Sequence, residues 1–294
     1  MTTSKRHLAA ERISSESEFL DFVSERQAIL ARRIAGEPFP WTENEMLRKY
    51  RFGNIDRADD PGTKFILSVC DQFGSASDFK ARNALLNVVA YRLFNKRSTF
   101  ESFGPLHVGE ERIAEKVYIS VNQLRQAGES VFTAAHQTTP RFKGIDSGDK
   151  VMNYALLIAW FAAWSHNNAT RLCKKATLAA AMRELEGLSG MGTYVGAQVA
   201  QDLASCGGLT TFTLADPMPL GRGGSRYALS MMYGPASKTE QQEQFEELAG
   251  VTGMWQTVCE NALCEFSKYV RIKNGSAVGR LYEPRSSADR IETD

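Results

Sequence analysis

Gly190-Met191-Gly192 stands between two stretches of helical character, and Asp216 follows further along the chain. This arrangement suits gripping a nucleic-acid backbone beside a carboxylate that does chemistry. The two glycines allow a backbone that a side chain would forbid. The next helix, from Thr193, then aims its unsatisfied N–H groups outward, where a phosphate accepts them. The plainer reading is a helix that stops and restarts. Asp216 lies between an apolar run and Pro217. Partial desolvation there would raise its pKa and make it a better base. The plainer reading of Asp216 is a helix N-cap.

Four further segments carry charge in patterns that suit phosphate chemistry. In 38–57, Arg48 and Arg51 are three apart and so share a helix face, with Asn54 and Arg57 extending the polar edge. Guanidinium groups bind phosphate oxygens through paired donors. A solvated basic face, paired to Glu43, Glu45 or Asp56, explains the same pattern without a ligand. In 95–101, Lys96 and Arg97 follow an apolar helix, where cations also stabilise the helix dipole. The functional alternative makes them a second phosphate contact, with Ser98 and Thr99 as donors and Glu101 as a base. In 220–227, glycines flank Arg222 and lead to Arg226, a loop able to cradle phosphate. It lacks the Lys-Ser/Thr ending of a nucleotide P-loop. In 260–269, Glu260, Cys264, Ser267 and Lys268 fall near one helix face. Cys264 has no evident histidine partner and reads as a structural thiol rather than a nucleophile. Glu265 and Lys268 are spaced to pair.

The elements that must position these groups are helical almost throughout. Apolar residues recur at helical spacing over 17–35, and Thr42 with Glu45 reads as a capping box that starts a second helix through Tyr50. Further helices are predicted near 62–73, 78–94, 109–127, 149–164, 172–188, 194–204, 222–232 and 241–270. Only 130–134 and 209–214 alternate like strands. The expected class is all-α. Trp160, Phe161 and Trp164 read as core. Phe39 and Trp41, set among prolines, read either as packing against the neighbouring helix or as a platform for a base.

Composition narrows the classes. The 294 residues are 43% hydrophobic and 23% charged with a net charge of +1, so any nucleic-acid surface must be local. Five scattered cysteines suggest reduced thiols, and the four histidines lack ligand spacing, so no metal site is assigned. The N-terminus reads as no signal peptide, and the apolar run 154–164 is too short to span a bilayer. No cofactor is evident. A divalent metal carried by pyrophosphate itself would leave little trace in the chain.

The glycine turn with Asp216 downstream resembles the helix-hairpin-helix DNA glycosylase superfamily. More closely, 38–57, 95–104, 188–202, 216–226 and 260–269 resemble the alpha-glutamyl/putrescinyl thymine pyrophosphorylases, the amino acid:DNA transferases of phages that hypermodify thymine. The resemblance covers about 15–285. It implies one glycosylase-like enzyme unit over 1–294 with two helical lobes, a helix-hairpin-helix near 173–205 and a loose tail at 286–294. It implies transfer of an amino acid or amine to 5-pyrophosphoryloxymethyl-deoxyuridine in double-stranded DNA, with release of pyrophosphate and flipping of the base, in the host cytoplasm. Asp216 matches the superfamily's catalytic aspartate. Arg48, Arg51, Asn54, Arg57, Lys96, Arg97, Arg222 and Arg226 would bind pyrophosphate, and Gly190, Met191, Gly192 and Thr193 the DNA, with Glu101, Glu260 and Lys268 as further candidates. The family pattern carries a His after that Glu and an Asp before the Lys-Tyr pair; Asn261 and Ser267 stand there instead. Two rival readings are a glycosylase, with Asp216 stabilising the sugar cation, and a DNA-binding module without activity.

Overall fold

The computed structural model describes residues 14–133, 147–221 and 223–282. In chain order its helices are α1 (Glu16–Ile34), α2 (Glu45–Lys49), α3 (Pro61–Asp71), α4 (Asp78–Phe94), α5 (Arg97–Phe103), α6 (Ile113–Gln126), α7 (Lys150–Cys173), α8 (Leu178–Glu186), α9 (Gly192–Ala204), α10 (Gly224–Tyr233), α11 (Lys238–Thr252) and α12 (Gln256–Lys273). The described residues form no strand, and the one bridge, Tyr50 with Leu281, is isolated. The fold is all-α. The chain divides into two compact units: 1–59 with 219–294, and 60–218.

The first unit contains α1, α2 and α10–α12. Ser15 caps α1 by accepting from the Glu18 N–H at 3.2 Å, with acids in the first turn and Arg32 and Arg33 in the last, as the helix dipole favours. Its inner face brings Phe19 and Phe22 onto Phe266 of α12, with ring centroids 5.4 and 5.5 Å apart. Each such ring, taken fully from water, contributes roughly 1.5–3 kcal/mol. The sequence suggested one helix over 241–270. The chain instead ends α11 before Gly253, whose φ of +67° breaks the ladder, and restarts at α12. At the front of the unit, α2 is capped by Asn44, which accepts from Met46 and Leu47, and not by a Thr42–Glu45 box. Thr42 instead accepts from Asn44 N–H at 3.0 Å.

In the second unit α4 is central, because fourteen of its 17 residues are buried. It packs on α3, α5, α7 and α9. Buried Asn87 pins the loop after α5: its amide donates to Leu106 O and its oxygen accepts from Leu106 N–H, both at 2.8 Å. The Asn83 oxygen accepts from Val108 N–H at 2.8 Å, while its amide donates to Phe79 O. The predicted break at 164 does not occur. α7 runs on to Cys173 on a continuous inner stripe of Ser165, Ala169 and Leu172. The 209–214 segment is a turn anchored by Thr211 N–H to Cys173 O, not a strand. α8 and α9 cross closely because Gly196 has no side chain: a Cβ there would lie 3.2 Å from Glu186 N.

Candidate functional site

The first unit holds Arg57, the one charged side chain with a buried, unmet nitrogen among the described residues. The segment Arg51–Asp59 is laid along α12 by backbone contacts. Gly53 N–H donates to Glu265 Oε2 at 2.6 Å, and Asn261 Nδ2 donates to Asn54 O and Ile55 O at 2.8 and 3.0 Å. Arg26, buried on the apolar face of α1, holds the same segment by donating to Phe52 O and Gly53 O. This clamp brings Arg57 within electrostatic reach of Glu260. The Nε of Arg57 is buried with no hydrogen-bond partner among the described residues. An unmet donor of this kind costs roughly 1–3 kcal/mol, and a ligand can supply what the fold does not.

On the other side of Glu260 lies the glycine-rich entry to α10. Ser225 Oγ donates to Glu260 Oε1 at 3.0 Å. Gly221 approaches so closely that a Cβ would fall 2.2 Å from Glu260 Oε1; at Gly224 it would fall 2.9 Å from Cys264 Sγ. Gly223, with φ +88°, turns the chain into the helix. Glu260 is only partly covered by area, but surrounding atoms desolvate its carboxyl end. Burial raises its pKa above the ordinary carboxylate value, and the Ser225 bond and the Arg57 charge offset that only in part. A carboxyl tuned upward beside an unsatisfied guanidinium can exchange a proton and hold an anion at one place. Burial pushes the Cys264 thiol up to about 12, so it stays protonated and is no nucleophile.

The remaining candidates of this unit are spread around the cluster. Arg48 lies on α2, but α2 ends at Lys49 and Tyr50 is extended, so Arg51 does not share a helix face with it. The two line one pocket instead. Asn54 is buried and organises its own turn, donating to Asp59 O. Arg226 is engaged by Gln241 Oε1 at 2.9 Å. Lys268 pairs with Glu265 at 3.6 Å and lies over the Phe52 ring. Arg222 lies outside the described residues, as does the 286–294 tail.

The second unit holds the other candidates, mostly in local bonds. Asp216 Oδ2 accepts from Leu178 N–H at 3.0 Å and Oδ1 from Thr213 Oγ1 at 2.9 Å, so both oxygens brace the start of α8 and the 213–216 turn. Lys96 and Arg97 follow the end of α4 at Phe94, as expected, but they also open α5, which begins at Arg97. At that second helix N-terminus the dipole disfavours cations, so the dipole does not account for both. Lys96 bonds to Ser130 O, while Arg97 pairs with Glu101 at 2.8 Å and lies over Phe65. Gly190 has φ +84°, and a Cβ there would fall 2.5 Å from Leu157 Cδ2. Met191 is buried, Thr193 bonds to Glu186, and the first turn of α9 has no side-chain cap. No group of three or more potential metal ligands occurs among the described residues, and no described helix is long and apolar enough to cross a membrane.

Residues 14–279 match the family described as "5-hmdU DNA kinase, helical domain". The chain belongs to that family. A 5-hmdU DNA kinase of Bacillus phage SP10 is 33% identical over 125 residues, 40% of this chain and 19% of the kinase. The match thus takes in under a fifth of the kinase's length. No solved structure matches. The helical-domain match includes every candidate side chain from Arg48 to Lys268.

Three residues of this helical domain that organise the site were not singled out from the sequence: Arg26, Ser225 and Glu265, the last weighed only as a partner of Lys268. Arg26 carries a signal, a charge among Phe22, Val23 and Ile29 on one face. Ser225 and Glu265 carry none, since their partners are 35 and 212 positions away.

Proposed function

We propose that this chain is a phage DNA-modifying transferase that joins an amino acid or amine to 5-pyrophosphoryloxymethyl-deoxyuridine in double-stranded DNA. The reading is carried by one observation, the desolvated Glu260 carboxyl beside the unpartnered Arg57 Nε. Glu260 takes the proton from the attacking amine. The amine nitrogen forms a bond to the 5-methylene carbon, the carbon–oxygen bond breaks, and pyrophosphate leaves with the bonding pair. Arg57 meets the charge that develops on the leaving group, with Arg48, Arg51, Arg222 and Arg226 as further cations. A divalent metal carried by pyrophosphate fits the same chemistry. The base's role goes to Glu260 rather than Asp216 because both Asp216 oxygens already serve the backbone and Thr213.

In this reading the α8–α9 turn holds the DNA backbone through Gly190, Gly192 and the uncapped first turn of α9, as in helix-hairpin-helix glycosylases, and the target base leaves the stack. Lys96, Arg97 and Glu101 are further contacts to the strand in this reading. The protein works in the cytoplasm of the infected host. The family's own description favours a second reading, a helical module that holds 5-hmdU DNA for a kinase without doing chemistry itself.

The test incubates the protein with DNA carrying the pyrophosphorylated base and a pool of amino acids and polyamines, then digests it for nucleoside mass spectrometry. An amine adduct with free pyrophosphate supports transfer. Abasic sites would make the chain a glycosylase, and intact DNA that is bound but unchanged would leave the holding module.

A further inference from the structure

A second feature of the first unit is a small pocket, about 20 Å³, walled by arginines and aromatic rings. Arg26, Arg33, Arg48 and Arg51 all line it, and no carboxylate does among the described residues. Arg26 is committed to the 52–53 backbone, and the Arg33 guanidinium lies 5.5 Å over the Trp41 ring. Arg48 has no ion-pair partner among the described residues. Rings line it too: Phe39 meets Trp41 edge-on at 5.4 Å and is offset from Tyr282 at 6.1 Å, with the ring planes 27° apart. Tyr282 arrives on a strap tied down at two points, Tyr282 N–H to Lys49 O and Arg51 N–H to Arg280 O, both 2.9 Å.

The wall chemistry narrows the occupant. An amine would meet four arginines and no carboxylate among the described lining residues. Bare pyrophosphate would use the arginines but leave the rings without purpose. A nucleotide uses both, because every base has a face to stack and every phosphate an oxygen pair for a guanidinium. At this size the pocket holds one water, so a ring enters only by taking the position of another ring. Tyr282, whose plane lies 27° from that of Phe39, is that ring.

We propose that this pocket seats a single nucleotide, its base stacked on Phe39 in place of Tyr282 and its phosphate on Arg48. The proposal gives Arg48 to the nucleotide phosphate in place of the leaving pyrophosphate, and it stands apart from the chemistry at Glu260, since the pocket binds a nucleotide whether or not an amine is transferred. The nucleotide comes from a DNA strand or from a free nucleoside phosphate, and the two share this chemistry.

The test measures binding of a fluorescein-labelled pentathymidylate to the full chain by anisotropy. Competitors are thymidine monophosphate, pyrophosphate and a base-free backbone of equal length. Thermal melting reports folding of each variant. Phe39→Leu is expected to weaken pentathymidylate about tenfold and leave the base-free backbone unchanged. Arg48→Gln weakens both and lowers the slope of log affinity against log salt by about 0.7. Tyr282→Ala tightens pentathymidylate severalfold by removing the competing ring, an outcome that a merely structural tyrosine would not give. Displacement by thymidine monophosphate with no strand binding would support the pocket and assign it to a free nucleotide. Equal competition by pyrophosphate or base-free backbone, or no binding by any of them, would overturn the proposal. So would a folded Tyr282→Ala protein with unchanged affinity.

Discussion

Each unit of this protein sets an arginine close to a desolvated carboxylate, and the two sites are finished differently. In the second unit Arg92 is closed. Its Nε and Nη2 grip Asp202 at 2.5 and 2.8 Å, Nη2 also donates to Thr63, and Nη1 donates to Asn95. Burial works against the charge on Arg92, and the Asp202 carboxylate overrides it, holding the guanidinium above its ordinary range. In the first unit Arg57 and Glu260 feel each other's charge but share no hydrogen bond, Arg57 Nε is unmet, and the Glu260 pKa is raised rather than lowered. A buried pair that satisfies itself has nothing left to offer a ligand. The contrast shows that satisfaction, more than burial or charge, separates a structural pair from a candidate site.

The comparison breaks most visibly at the closed pair. Arg92→Met or Asp202→Asn should cost roughly 3–5 kcal/mol of unfolding free energy in a denaturant titration, since either leaves a buried partner uncompensated. A loss near zero would mean the pair is not structural. At the open pair the effect moves from stability to activity. Glu260→Gln is expected to lower adduct formation by about 10³-fold while the protein stays folded. Its stability has a defined pH sign. Burial raises the folded pKa above the unfolded one, so stability is greatest where the carboxyl is protonated and is lost as pH rises through the folded pKa. Melting curves of Glu260→Gln should therefore match wild type in acid and lie above it at alkaline pH. Arg57→Gln should lower adduct formation by about 10²-fold, with little change in melting temperature because no hydrogen bond of its Nε is lost.

The smallest effect is expected at the third carboxylate. Asp216→Asn should cost about 1 kcal/mol, as for a lost helix cap, and leave transfer nearly intact. A stable Asp216→Asn protein without transfer, alongside an active Glu260→Gln, would exchange the two roles.

Much of the helical framework could be read from periodicity and stop signals. Gly36 with two prolines ends α1, and the glycines at 190 and 192 mark the α8–α9 turn where the sequence suggested it. The misreadings share one cause. Arg48 and Arg51 were set on one helix face because three-residue spacing says so, but pairing of Tyr50 with Leu281 extends the chain at that point. Lys96 and Arg97 were read as ending one helix and not as opening another, because nothing nearby announces that Asn95 turns left-handed and α5 follows at once. Both are decided by partners distant in sequence or by a single dihedral angle.

The sequence alone determined the all-α class, the helix-breaking glycines and the residue types available for phosphate chemistry, because these depend on neighbours within a few positions. Only the tertiary structure decided which charges were already spent. Asp216, prominent beside Pro217, is taken up by an N–H group 38 positions away. Glu260, only a further candidate within an ordinary helix, meets Ser225 from 35 positions away and lies under the field of Arg57 from the far end of the chain. Hydrogen-bond satisfaction and desolvation are sums over spatial neighbours, and those neighbours exist only once the helices have packed.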